Sequence, residues 1–126
     1  MNSKQHKALV IIAHGSRRSA SNEEVRSLTD KIARTLNQEY AIVHTGFLEL
    51  AEPLIPDVIE QCIKQGATDI KVLPYFLSSG RHVQEDVPRE VKIIGSKFPQ
   101  VKLQILPHIG GLPQMVELIS TAVCES

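Results

Sequence analysis

Ala8-Leu9-Val10-Ile11-Ile12-Ala13 is an unbroken aliphatic run, followed at once by His14-Gly15-Ser16-Arg17-Arg18. Six apolar residues without polar alternation suit a strand buried on both faces, as in the middle of a parallel sheet. The period then changes. Val25, Leu28, Ile32 and Leu36 recur at helical spacing, and Ser21 with Glu24 three residues later reads as a capping box. The same step repeats along the chain: strands over Ala41 to Phe47, Ile70 to Phe76 and Val101 to Leu106, and helices over Pro53 to Gly66, Asp86 to Phe98 and Pro113 to Val123. Val87, Val91, Ile94 and Phe98 form the inward stripe of the third helix, which Gly95 interrupts. Alternating strands and helices imply right-handed crossovers. The expected class is therefore α/β, a four-stranded, mostly parallel sheet with helices on both faces.

Composition sets limits on this frame. The chain has 126 residues, 42% of them hydrophobic, which suits one domain. Fourteen Lys plus Arg balance fourteen Asp plus Glu, so no basic surplus is available for phosphate contacts along a nucleic acid. The longest apolar run has six residues, against the roughly 20 that a membrane span needs, and no export signal is read. The head through Lys7 is read as loose. Two cysteines, Cys62 and Cys124, form no close pair, which points to a reducing cytoplasm. Cys62 falls on the apolar face of the second helix and is assigned to the core.

Open parallel sheets bind ligands beyond the carboxyl ends of their strands. In this chain those positions hold His14 to Arg18, Glu49 with its flanking leucines, Leu77-Ser78-Ser79-Gly80-Arg81-His82, and Pro107-His108. His14 before Gly15, and His82 in a polar connection, are the leading candidates. Glu49, between Leu48 and Leu50, needs a cation, a proton or water to balance its charge. His108 fits a turn as well as a site, and His44 is read as a packed or interface residue. Arg17 and Arg18 beside a helix start either face solvent or favour an anionic ligand. Two imidazoles and a carboxylate also suit a borderline divalent ion, although the 68 residues between His14 and His82 exclude a local metal motif.

Taken together, His14-Gly-Ser-Arg, Phe47-Leu-Glu-Leu-Ala-Glu-Pro53, Leu73-Pro-Tyr-Phe-Leu-Ser-Ser-Gly-Arg-His82-Val and Asp86-Val-Pro88 resemble class II tetrapyrrole chelatases of the CbiX and SirB type. The resemblance spans almost the whole chain in the same order. It implies a single chelatase lobe over 1–126 that inserts Co2+, or Fe2+ or Ni2+, into sirohydrochlorin, with no cofactor beyond that metal substrate. It matches His14 and His82 to the family's metal-site histidines and Glu49 to its acidic residue. On that basis both histidines are expected to present the metal and accept pyrrole protons, with Glu49 balancing charge or relaying a proton, and Ser16, Arg17, Arg18, Ser78, Ser79, Gly80 and Arg81 are candidate contacts for the pigment's carboxylates. It also implies a homodimer, in which a second copy replaces the missing lobe of longer relatives. Two other readings compete: a protein that binds or delivers metal or tetrapyrrole without catalysis, and a histidine phosphatase. The second is weakened by Ala13, where that class carries arginine.

Overall fold

The opening aliphatic run forms the second strand of the sheet in space, and Ala8, Val10, Ile11 and Ile12 lose all contact with solvent. In the computed structural model, which describes residues 3–126, strands β1 (Lys7–Ala13), β2 (Ile42–Phe47), β3 (Asp69–Pro74) and β4 (Lys102–Ile105) lie in the order β2-β1-β3-β4. All neighbouring pairs are parallel. Helices α1 (Ser19–Thr35), α2 (Ile55–Lys64), α3 (Val87–Lys97) and α4 (Gln114–Cys124) follow the strands in turn. The register sets Ile12 opposite Gly46 on one side and Pro74 on the other, so the first three strands end at one rim.

Alternation along β1 divides the core. Ala8, Val10 and Ile12 join Ile70 and Val72 of β3 against α2 and α3, where Val58, Ile59, Cys62, Val87, Val91 and Ile94 close a continuous apolar cluster. Gly46 admits Val58 to the sheet: a β-carbon there would stand 2.6 Å from a methyl of Val58. Gly95 likewise lets α3 lie close to Leu103 of β4. On the opposite face α1 covers β2, with Thr45 Oγ1 donating to Thr29 Oγ1 at 2.7 Å.

Several expectations change here. α1 begins at Ser19, before the proposed cap at Ser21, because Asn22 bonds back to Ser16 and draws the first turn toward the rim. α2 begins at Ile55 rather than Pro53, whose carbonyl instead accepts from the amide of Phe47 at 2.8 Å. Of α1, only Asn22 and Thr29 are buried, whereas Val25, Leu28, Ile32 and Leu36 are half-buried. α4 forms where the periodicity places it but buries none of its side chains. The expectation of a loose head falls in part on residues outside those described. For the remainder it is replaced by a 3-10 turn, Ser3–His6, whose His6 carbonyl accepts from the Thr68 amide at 2.9 Å.

The core assignment of Cys62 carries a measurable consequence. Burial pushes its thiol up to about 12, while Cys124 is exposed. Because the thiolate is the nucleophile, iodoacetamide at mildly alkaline pH should modify Cys124 alone in the native chain, and Cys62 only after denaturation. Rapid double labelling of native protein, read by intact mass, would contradict this placement.

Candidate active site

Gly15 begins the site. Its φ is +95°, and a β-carbon there would lie 1.7 Å from the Glu49 carbonyl oxygen, so only glycine lets the turn after β1 touch the turn after β2. The Leu48 amide donates to Ala13 and the Glu49 amide to the His14 carbonyl, at 2.9 and 3.1 Å, continuing the β1–β2 pairing past the strand ends. This zipper sets Glu49 Oε2 3.1 Å from His14 Nε2, with both side chains about half exposed. From the other side, buried Asn22 accepts from the Ser16 amide at 2.9 Å and donates to its carbonyl at 2.8 Å. The Ser16 hydroxyl accepts from the Arg18 amide at 3.0 Å. The His14 turn is thus fixed by protein groups on both flanks.

His82 arrives from β3 at the start of a short π turn, His82–Asp86, that leads directly into α3. Four residues separate it from Asp86, so the two side chains share one side of the turn. Asp86 Oδ2 lies 2.7 Å from His82 Nδ1, and Asp86 Oδ1 accepts from Arg89 Nη2 at 3.1 Å. The bond from His82, reinforced by Arg89, holds the Asp86 carboxyl below the usual carboxylate range. With Nδ1 directed at that carboxylate, Nε2 of His82 is the nitrogen left to meet a ligand. Phe76 lies beside the same ring, 6.4 Å between centroids with planes 26° apart.

The two imidazoles meet within one chain. Their centroids are 4.5 Å apart and their planes 46° apart, although 68 residues separate them in sequence. β1 and β3 are direct neighbours, which removes that separation. The resulting row runs Glu49, His14, His82, Asp86, Arg89, with a carboxylate behind each ring. A cavity of about 240 Å³ opens beside His14, bordered by Ser16, Asn22, Phe47 and Tyr75. Among the described residues, no group of three or more His, Cys, Asp or Glu side chains is gathered as a metal cage. The row is an open pair of imidazoles, each with a carboxylate on one nitrogen.

The remaining candidates are placed as follows. Arg17 and Arg18 are exposed at the start of α1. Ser78, Ser79 and Gly80 are exposed in the connection before His82, where Ser79 accepts from Gln84 Nε2 at 3.0 Å. Arg81 pairs with Glu85 at 3.3 Å. The His108 ring lies over Gly111 in its own turn, and His44 bonds Gln65 across the sheet edge at 2.8 Å. Three supporting residues were given no role by strand-end reasoning: Asn22, Asp86 and Arg26. Arg26 lies 5.0 Å from the Phe47 ring centroid and donates to the Glu52 carbonyl at 2.9 Å, bracing the turn that carries Glu49. For Asp86 a signal existed, its spacing of four from His82.

Asp86→Asn tests this support. Its lowered carboxyl contributes stability that is full above the ordinary value of 3.8 and disappears as pH falls through the lower folded value. The stability gap between wild type and D86N should therefore stay level from neutral pH down to about 4 and close below it. A gap that widens on acidification, measured by urea unfolding, would contradict the assignment.

Comparison with known proteins adds lineage to this geometry. A family model described as CbiX matches residues 8–126. The chain belongs to the CbiX family. A sirohydrochlorin ferrochelatase of Bacillus subtilis strain 168 is 30% identical over 112 residues, covering 89% of this CbiX chain and 42% of that relative. A sirohydrochlorin cobaltochelatase of Methanococcus maripaludis is 42% identical over 89 residues, covering 70% and 58%. The CbiX chain thus spans about two-fifths to three-fifths of the length of these curated relatives. Among solved structures, the sirohydrochlorin chelatase SirB of Bacillus subtilis subspecies spizizenii, in complex with cobalt, superposes with a TM-score of 0.80 at 28% identity, covering 94% of this chain and 50% of that one. A putative cobalamin biosynthesis CbiX protein of Marinobacter aquaeolei VT8 gives 0.79 at 25% identity, covering 94% and 95%. These similarities establish the chelatase-like α/β fold. Among the described residues, no helix is long and apolar enough to cross a membrane.

Proposed function

We propose that this chain inserts a divalent metal, Co2+ or Fe2+ with Ni2+ as a further candidate, into sirohydrochlorin. The observation that carries the reading is the pair of imidazoles 4.5 Å apart, each with a carboxylate on one nitrogen. Family membership supports it, as do relatives named as cobalto- and ferrochelatases. Metal and pigment are both substrates. In the proposed reaction the macrocycle loses two pyrrole N–H protons and gains M2+, so two protons leave for each ion inserted and no electron is transferred. No redox cofactor is invoked.

The geometry supports the following division of roles. His82, turned by Asp86, presents Nε2 to the ion and hands it to the ring. His14 accepts the two pyrrole protons one after the other, and Glu49 balances the imidazolium formed each time and passes each proton to water at the exposed rim. Arg17 and Arg18, with the first-turn amides of α1, attract the acetate and propionate groups of the pigment. Ser16, Ser78, Ser79 and Gly80 line the approaches, and Arg81 joins by leaving Glu85. A half-exposed rim on one lobe does not enclose a macrocycle, which supports a homodimer as the working unit. A cytoplasmic setting agrees with two cysteines that are both free.

The test follows the visible spectrum of sirohydrochlorin with Co2+, Fe2+ or Ni2+ and substoichiometric protein. Faster metal insertion over many turnovers is expected for at least one ion. Binding without acceleration would identify a delivery protein instead.

A further inference from the structure

Tyr75 has no part in the roles described above, yet it stands beside the reacting pair. Its amide donates to the Ile12 carbonyl at 2.7 Å, which carries the β1–β3 pairing one residue past Pro74 and fixes the backbone there. Successive residues of an extended chain point to opposite faces. Phe76 accordingly packs against the core cluster under α2 and α3 and lies beside His82, while Tyr75 turns toward α1. There it forms the wall between two spaces, the cavity of about 240 Å³ beside His14 and a groove of about 560 Å³ along α1. The side chain is 38% exposed, enough to meet a molecule entering from the rim.

The two spaces differ in chemistry. Glu24 and Lys31 border the groove, whereas among the described residues no Asp, Glu, Lys or Arg borders the cavity. Its polar groups are His14, Asn22 and the hydroxyls of Ser16, Ser21 and Tyr75. Asn22 is committed to the Ser16 backbone, and the Ser16 hydroxyl accepts from the Arg18 amide and keeps its own proton to give. Among the described residues, the hydroxyls of Ser21 and Tyr75 have no protein partner. Three hydroxyl donors therefore surround one small space, a set that suits a carboxylate, which only accepts. Size decides how much of a ligand enters. Pockets that hold a whole small molecule begin at roughly 300 Å³, so this cavity takes a substituent and leaves the macrocycle outside. His14 borders the same cavity, so each extra methylene in an anchored arm carries the pyrrole nitrogen farther from the imidazole. The shorter of the pigment's two kinds of arm, acetate, suits that spacing.

We propose that the cavity beside His14 receives one acetate arm of the pigment, and that Tyr75 is a specificity-determining residue whose hydroxyl donates to that arm's carboxylate. The inference rests on the function proposed above and names the arm that sets the macrocycle over His14.

The experiment titrates the full chain without metal and follows pigment absorbance. Three pigments are compared: sirohydrochlorin, uroporphyrin, which carries acetate and propionate arms, and coproporphyrin, in which methyl groups replace the acetates. Wild type should bind uroporphyrin more tightly than coproporphyrin. Tyr75→Phe keeps the ring and removes the hydroxyl. It should weaken sirohydrochlorin and uroporphyrin by at least roughly 10-fold, the effect of one hydrogen bond to a charged group, and leave coproporphyrin unchanged. A merely structural defect would weaken all three alike. Ser21→Ala should weaken the same two pigments by a smaller factor, and it decides the matter if Tyr75→Phe does not fold. Three results overturn the acetate subsite while the proposed function stands: a Tyr75→Phe chain that binds sirohydrochlorin as wild type does, one that weakens all three pigments equally, or a wild type that prefers coproporphyrin. A wild type that binds none of the pigments overturns both.

Discussion

His14→Ala and His82→Ala should each slow metal insertion by at least roughly 100-fold, the lower end of what a positioned proton-transfer group contributes. The two losses have different origins. His82→Ala removes the nitrogen that Asp86 aims outward, so insertion should fail even when metal is abundant. His14→Ala removes the proposed proton acceptor, whose ring bonds Glu49, so raising the pH should restore part of the rate. In the proposed roles neither ring holds the pigment's carboxylates, so metal-free sirohydrochlorin should bind both variants with little change. Arg17→Ala provides the contrast: KM should rise while kcat stays nearly constant, because the proposed contact would be made equally before and during the reaction. The comparison uses steady-state rates together with a pigment titration followed by absorbance. Equal loss of pigment binding in all three variants would remove the division of labour.

Gly15→Ala should produce the largest loss of stability of any single methyl addition at the rim. The new β-carbon would coincide with the Glu49 carbonyl at 1.7 Å, and the backbone is already in the left-handed region at φ +95°. Neither problem can be relieved by rotating a side chain. The β1–β2 zipper must open, which costs the His14–Glu49 and Leu48–Ala13 backbone bonds, each worth about 1 kcal/mol, in addition to the conformational penalty of about 1–2 kcal/mol. A total near 3 kcal/mol corresponds to a fall in Tm of roughly 10 °C for a chain of this size. Because the same zipper carries Glu49, insertion should weaken in parallel. Gly66→Ala is the control: its φ is also positive, at +106°, but no atom lies within 4 Å of an added β-carbon. If the two variants melt together, the close approach at Gly15 contributes nothing.

Much of this molecule could be read from periodicity. The β1 run, buried on both faces, required a central position, and the strand-end rule singled out His14, Glu49 and His82, which the fold does bring side by side. Local pattern was less informative where a side chain acts on a distant backbone. Ser21 and Glu24 have capping-box spacing, yet Asn22 reaching back to Ser16 decides where α1 begins. Pro53 resembled a helix start, but its carbonyl was committed to Phe47. Arg81 looked free for an anion because nothing in a list of strand ends weighs Glu85, one turn away. The apolar face of α4 was legible as a helix, while the sequence pattern held no information about whether its own sheet would cover it.

The two halves of the rim are secured unequally. The turn bearing His14 is tied to Asn22 and to the β2 turn, whereas the stretch from Ser78 to His82 leans on neighbours a few residues away, through Gln84 to Ser79 and the Val83 and Gln84 amides to Gly80. Under the proposed function, a pigment arriving at this mouth would find one jaw already set, so the entropy lost on capture would fall on the other. Amide deuterium uptake should accordingly slow on ligation in the segment around residues 78–86 and remain flat over 14–22.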